Sequence, residues 1–384
     1  MSYQSVDALQ KALGESIFNN RQDVKKAAGR ALGTIVELIT YYIIREWGLV
    51  PNLTIERGLA EFANQQVTHN VEFGIHPAYD HGRIKLQRSG PITSQKLIKK
   101  ILDAGELTEF VSNNETKQKK NVLLTNDDII RNSCVLIDAD DGILIANIAD
   151  ADDLNADIIL TVVRPAPFAM IECKRVGVEE GMKKGPTTIE KAKQGAYVAK
   201  HVSSLQKIRG RDGKMYGAMP KSDGTFEISI LKDELNRLVF EASPEDLEGF
   251  ILTVGIVSNH GNWFTAENQN KELLVLNQSY DWLLFLTDPA IGEFVEETIL
   301  SNSEEMRPVR DAFRESYASG ESGRNQFTKV KISKKAHEVL CIYFKQRIQR
   351  IEETWFNIIS PPGETIHDLK VQLKELSRKL GPVN

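Results

Sequence analysis

The chain has 384 residues, of which 26% are charged and 41% apolar, with 26 glycines and 13 prolines, a composition that excludes a disordered, collagen-like or low-complexity protein. Its 48 Lys+Arg against 53 Asp+Glu leave a net charge of -5, which marks neither a basic nucleic-acid coat nor an acidic tail. The length suits one large α/β domain with appendages, or two domains, and the three cysteines, odd in number and far apart, argue against a disulfide framework and a Cys-rich zinc site. No apolar run is expected to span a membrane, and the N-terminus lacks a basic start followed by an apolar stretch, so a cytoplasmic protein is expected.

The first strong element lies between about Gln22 and Trp47, where apolar residues recur at helical spacing and Gly48 and Pro51 end the run. Ala28, Leu32, Ile35, Ile39 and Tyr42 share one side of this helix; Arg30, Gly33, Thr34, Glu37 and Tyr41 share another. Residues 48–133 are mixed and resist assignment. They include a basic stretch, Arg83 to Lys100, with six Lys/Arg and no acid.

The period then changes to that of strands. Residues 134–138, 142–148, 154–163 and 168–176 are β-rich runs parted by Asp/Gly or Pro clusters, as in consecutive antiparallel strands, with Arg164-Pro165-Ala166-Pro167 as the last turn. The Asp138–Asp141 cluster reads as a turn, since it lacks the twelfth-position glutamate and flanking helices of a calcium loop. A helix is expected from Thr187 or Thr188 to about Ile208, a hairpin around Ser222-Asp223-Gly224, and a buried strand over 249–258 opening onto Asn259-His260-Gly261-Asn262. Residues 273–278 read as one more strand, and from Tyr280 the pattern is mostly helical to Lys379. Charge is segregated along this part: seven Asp and no Lys or Arg between Val135 and Val163, then eleven basic against five acidic residues between Ile171 and Lys214. An acidic patch abutting a basic one suits a site that holds cations against a polyanion; two solvated faces of opposite sign remain the plainer alternative.

Glu172-Cys173-Lys174 places a carboxylate and an ammonium inside an apolar strand, a costly arrangement unless the two are partnered. Alternation sets Glu172 and Lys174 on one side and Cys173 on the other. If the preceding strand returns through a turn centred between Pro165 and Ala166, Asp157 lies opposite Lys174 on the same face. Two carboxylates at one site repel unless a divalent cation joins them, and hard oxygen ligands suit Mg2+; a lysine beside it orients or activates water and stabilises phosphoryl charge.

Asp157, fourteen intervening residues and Glu172-Cys173-Lys174 resemble the motif of the PD-(D/E)XK nucleases, and among them the type II restriction endonucleases; Ala156 stands where the family often has proline. The resemblance spans about residues 22–260. It implies an α/β fold with a restriction-endonuclease-like core, a mixed central sheet flanked by helices in the order α-β-β-β-α-β, followed by a mostly helical C-terminal region. The corresponding boundaries are a nuclease domain over 1–290 with an insertion near 50–133, and a helical region over 291–384 serving dimerisation or DNA contact. It further implies Asp157 and Glu172 as metal ligands, assisted by Glu37, and Lys174 as the catalytic lysine. Lys191, Gln194, Asn259 and His260 are candidate DNA contacts, with the Arg83–Lys100 stretch as another. The expected activity is Mg2+-dependent, sequence-specific hydrolysis of double-stranded DNA by a homodimer, partnered in the same system by a DNA methyltransferase and without a membrane. Two alternatives stay open: a nuclease of the same fold in DNA repair or phage defence, and a DNA-binding protein without catalysis.

Overall fold

The computed structural model describes residues 6–18, 24–61, 64–176, 195–221, 223–259, 271–317 and 325–381. In chain order the helices are α1 (Val6–Ser16), α2 (Val24–Glu46), α3 (Ser94–Ala104), α4 (Thr108–Asn113), α5 (195–201), α6 (Leu231–Asn236), α7 (Lys271–Asn277), α8 (Asp288–Glu297), α9 (Arg307–Tyr317), α10 (Lys334–Thr354) and α11 (Ile366–Leu380). The strands are β1 (Leu53–Glu61), β2 (Asn64–Ile75), β3 (Ala78–Gln87), β4 (Ile92–Thr93), β5 (Val122–Leu124), β6 (Ile129–Arg131), β7 (Cys134–Asp138), β8 (Ile143–Ala151) and β9 (Asn155–Val163). They continue with β10 (Ala169–Val176), β11 (Gln206–Arg209), β12 (Met215–Pro220), β13 (Phe226–Ile230), β14 (Leu252–Asn259), β15 (Trp282–Leu286), β16 (Lys331–Ser333) and β17 (Phe356–Ser360).

The fold is mixed α/β. Its largest sheet has the order β1-β2-β10-β14-β15-β17, in which β10, β14 and β15 run parallel and the other neighbours antiparallel. The nearly unbroken apolar content of β14 and β15 follows from their central place, where both faces are covered. On one face lies α2, whose Ala28, Leu32, Ile35, Ile39 and Tyr42 are all buried as the spacing predicts. Tyr41, expected on the other side, is buried as well, its ring edge-on to that of Tyr42 at 5.3 Å, and α10 adds a second cover to the helix: Tyr42 stacks on Phe344 at 5.0 Å and its hydroxyl pairs with His337 Nδ1 at 2.9 Å. That second cover also corrects the membrane expectation. Ala27–Glu46 is long and apolar enough to span a bilayer, yet 72% of its apolar window is buried inside the molecule, the condition of a core helix.

A second, four-stranded sheet has the order β3-β9-β8-β7, so residues 134–163 form an antiparallel meander as read from the sequence. The expected fourth strand does not join it. β9 pairs with β3 and β8, whereas β10 pairs with β2 and β14. The physical reason is the Pro165-Ala166-Pro167 segment, which carries the chain from one sheet to the other rather than folding it back as a hairpin. β2 and β3 make the same passage at His76-Pro77 and run alongside: Arg164 donates to the Pro77 carbonyl and Phe168 to that of Ile75. His76 pins this corner, its ring nitrogens bonded to Thr54 Oγ1 (2.8 Å) and the Arg164 carbonyl (2.9 Å). Burial drives its pKa down to about 3, so the ring is neutral in the folded protein.

Other expectations shift in the same way. The 50–133 region is not wholly an insertion, because β1 and β2 within it belong to the largest sheet. The boundary at 290/291 does not separate two cores: β17 edges the same sheet, and α10 and α11 contribute Leu340, Phe344, Leu369 and Leu373 to one continuous core with α2. Residues 273–277 form α7 rather than a strand, with Leu273 and Leu276 buried one turn apart and Val275 exposed. The helix expected through Ile208 ends near His201, and residues 206–220 instead form the β11–β12 hairpin, part of a three-stranded sheet β11-β12-β13. The hairpin expected around 222–224 is the β12–β13 turn.

Candidate active site

Side chains of β10 alternate as its sequence dictates. Cys173 faces α2, with its Sγ 3.3 Å from Thr40 Oγ1, while Glu172 and Lys174 face α5 and Tyr280. The acid that meets them is Glu72 of β2. Lys174 Nζ lies 3.1 Å from Glu72 Oε1 and 3.0 Å from Glu172 Oε2.

Glu72 stands where the backbone ladders on both sides of β2 are interrupted. The β2–β10 register runs Ile75↔Ala169, Gly74↔Met170, Phe73↔Ile171 and then stops. Beyond that rung the backbone donors are met by carboxylates: Glu72 N donates to Glu172 Oε1 (3.1 Å) and Cys173 N to Glu72 Oε2 (2.7 Å). On the β1 side, Ile55↔Phe73 and Arg57↔Val71 flank Glu56, whose φ of 53° is the left-handed conformation disfavoured for a side chain with a Cβ. The strands thus open into a fork held by carboxylates, and one ammonium closes it.

Burial and charge act against each other here. Desolvation raises the Glu172 carboxyl, opposed by Lys174 and reinforced by Glu72. For Lys174 burial alone would lower the ammonium, but Glu72 and Glu172 outweigh it and hold its pKa above the ordinary lysine range. Lys174 is therefore a charged donor at neutral pH. Among the described residues neither Glu172 Oε2, despite its ion pair, nor the fully buried Tyr280 hydroxyl has a directed hydrogen bond. A Cβ added at Gly195 of α5 would lie 3.0 Å from the Tyr280 hydroxyl, 3.2 Å from Glu172 Oε2 and 3.3 Å from Lys174 Cε. Glycine there lets the helix close over the fork. Gly255, the β14 partner of Glu172, is required by Tyr280 itself, whose ring would lie 2.7 Å from an added Cβ.

Glu37, on α2, is paired elsewhere than Glu172 and Lys174. Its carboxylate pairs with buried Lys329 at 2.9 Å, and the same ammonium lies 3.3 Å from Glu56. Desolvation, then Glu72, raise the Glu37 pKa against the pull of Lys329. Burial opposes the charge on Lys329, and Glu72 and Glu37 together more than offset that. Among the described residues no group of three or more His, Cys, Asp or Glu converges on one metal position.

Asp157 is the main correction. It lies on β9, in the other sheet, opposite Lys85 and Asp150, and its carboxylate is closed by a bidentate contact with Arg83 at 2.8 and 2.7 Å. The hydrogen bonds from Arg83 hold its carboxyl below the ordinary range. Lys191, Gln194 and His260 lie outside the described residues, as does the side chain of Asn259, whose backbone ends β14 opposite Val176. The basic Arg83–Lys100 stretch spends half its charge internally: Arg83 on Asp157, Arg88 on Asp128, Lys96 on the Ser89 and Pro91 carbonyls.

Glu72, Lys329 and Tyr280 escaped the sequence reading. For Glu72 a signal existed, an acid between Val71 and Phe73 in an apolar alternation, the same signature that singled out Glu172. No family model matches the chain, and neither a curated protein nor a solved structure matches it.

Proposed function

We propose that this protein is a Mg2+-dependent nuclease of the PD-(D/E)XK type acting on double-stranded DNA, with Glu72, Glu172 and Lys174 as its active site. The observation that carries the reading is the fork: two carboxylates from adjacent strands sharing one lysine. Element order supports it, since α2, β1, β2, β10, α5 and β14 follow α-β-β-β-α-β, with the β3–β9 excursion between the second and third strands. In that order the acid of the second strand is Glu72, not Asp157.

Two carboxylates suit magnesium, which keeps several waters and takes substrate phosphate as a further ligand. Bound between Glu72 and Glu172, the ion would neutralise charge on the phosphoryl oxygens. Lys174, held protonated by the two acids, acts as a fixed positive charge toward the phosphate rather than as a base. Tyr280, whose phenol burial and then Glu172 hold well above the ordinary range, remains a hydrogen-bond donor beside Glu172. Sequence specificity and a two-fold dimer would make it a type II restriction enzyme; a repair or defence nuclease would share this site.

The test is incubation of the purified protein with unmethylated phage DNA in Mg2+, beside Glu72→Gln, Glu172→Gln, Lys174→Ala and Asp157→Ala. Discrete fragments are expected from the wild type and from Asp157→Ala, with rates at least about 100-fold lower in the other three. Fragments at wild-type rate from Glu72→Gln and Lys174→Ala would sink this site. Intact DNA in every lane, with binding retained, would turn the fork into a structural ion network in a DNA-binding protein.

A further inference from the structure

We infer that the β11–β12 hairpin is a duplex-DNA contact, with Arg209, Arg211 and Lys214 binding backbone phosphates; this rests on the nuclease reading for the identity of the polyanion. All three side chains are exposed, and no described carboxylate lies within ion-pairing distance of any of them. The one acid in the turn, Asp212, is committed within the turn: its oxygens accept from Lys214 N (3.1 Å) and the Tyr216 hydroxyl (2.9 Å). Gly210 and Lys214 close the turn through Gly210 N to the Lys214 carbonyl at 2.8 Å, and Gly213 takes the φ of 81° that the reversal needs. The ordered tip therefore carries three cations against the one carboxylate of Asp212, which lies within Coulombic reach of Lys214, and its excess positive charge suits a polyanion. The contrast with the Arg83–Lys100 stretch is direct, since half of those cations already have partners.

The base of the hairpin is tied to the active-site wall. Lys207, on the inward side of β11, reaches Asp281 at 2.9 Å and is almost fully buried, and Asp281 also accepts from Thr253 N and Oγ1. Thr253 pairs with Met170, two residues before Glu172, and Asp281 follows Tyr280 in the chain. From Gly195, which stands against Glu172 and Lys174, the chain passes through α5 and directly into β11. Helix and strand rises limit the separation of Gly195 and Arg211 to about 45 Å. A duplex seated on the fork would therefore need to extend no more than about 45 Å, under one and a half helical turns, to reach the tip.

The experiment is fluorescence anisotropy of a labelled 30-base-pair duplex in EDTA, titrated across a KCl series with the full-length protein and an Arg209→Ala/Arg211→Ala/Lys214→Ala variant. Removing three phosphate contacts is expected to weaken binding and to make the slope of log K against log salt shallower by about 2.7. An Arg83→Ala/Arg88→Ala variant, whose cations are already taken by Asp157 and Asp128, is expected to leave that slope closer to wild type, and coincident melting curves guard against misfolding. An unchanged slope in the triple variant overturns the hairpin contact, as does absence of wild-type binding. If the slope falls but no DNA is ever cut in Mg2+, the nuclease reading fails while the hairpin contact stands; cleavage with an unchanged slope has the reverse meaning.

Discussion

Two groups of acids and bases in this protein, one pair and one triad, belong to different physical situations. Arg83 and Asp157 meet across β3 and β9 on an open sheet face, with both carboxylate oxygens taken and the arginine largely exposed. Glu72, Glu172 and Lys174 meet in a buried fork where two carboxylates share a single ammonium and one oxygen lacks a directed hydrogen bond among the described residues. The first is a satisfied surface pair; the second is a buried cluster in which the acids outnumber the cation. Sequence spacing alone ranks Asp157 above Glu72, and burial reverses that order.

The largest effect is expected from removing the cation behind the fork. Lys329→Met leaves Glu37 and Glu56 facing each other across a site that Glu72 already makes negative, and a destabilisation of about 3 kcal/mol is expected, the lower end for a broken buried pair because both glutamates keep some solvent contact. Urea unfolding measures it; a change under 1 kcal/mol would mean that Lys329 is a bystander.

The joint between the two sheets responds to pH. The folded pKa of His76 is about 3 against an ordinary 6.5, so below pH 6.5 the unfolded chain binds a proton that the folded chain refuses. Stability is therefore expected to fall as pH drops from 6.5 toward 3, by up to about 1.4 kcal/mol per pH unit from this group. Buried His337, also lowered to about 3, adds a similar term. Unfolding free energies of the wild type and His76→Gln between pH 7 and 4 isolate one proton's share of the slope; identical slopes would contradict a neutral buried ring.

The smallest effect belongs to the open pair. The Asp157 pKa is depressed, so its contribution is present above the unfolded pKa and lost as pH falls through the folded one. Asp157→Asn is expected to shift the melting temperature little at pH 7, and the small difference is expected to shrink further in acid and in high salt. A large, salt-insensitive loss would make the pair a buried interaction like that of the fork.

Much of the local architecture was legible. The α2 stripe, the β7–β9 meander, β10, β14 and the opposed faces of Cys173 and Glu172 all follow from periodicity, a property of neighbours in the chain. The partner of Glu172 was not, because Asp157 is 15 residues away in sequence and Glu72 is 100, and only the sheet order tells which one is adjacent. The run at 273–278 failed for a different reason: a short apolar segment fits a buried strand or a helix equally well, and packing on β15 decides. Lys329 came from a segment with no periodic pattern at all.

The corner at His76 also bears on how a site with such distant parts is assembled. Joining β2 to β10 from an open chain closes a loop of roughly 90 residues, with the entropy cost of that length. Once β3 has paired with β9 up to Ala78↔Val163, the ends still to be brought together are separated only by residues 76–77 on one side and 164–168 on the other. A β3–β9 ladder formed first would shorten that search, and the meeting of Glu72 and Glu172 would then follow a few rungs beyond a structure already formed.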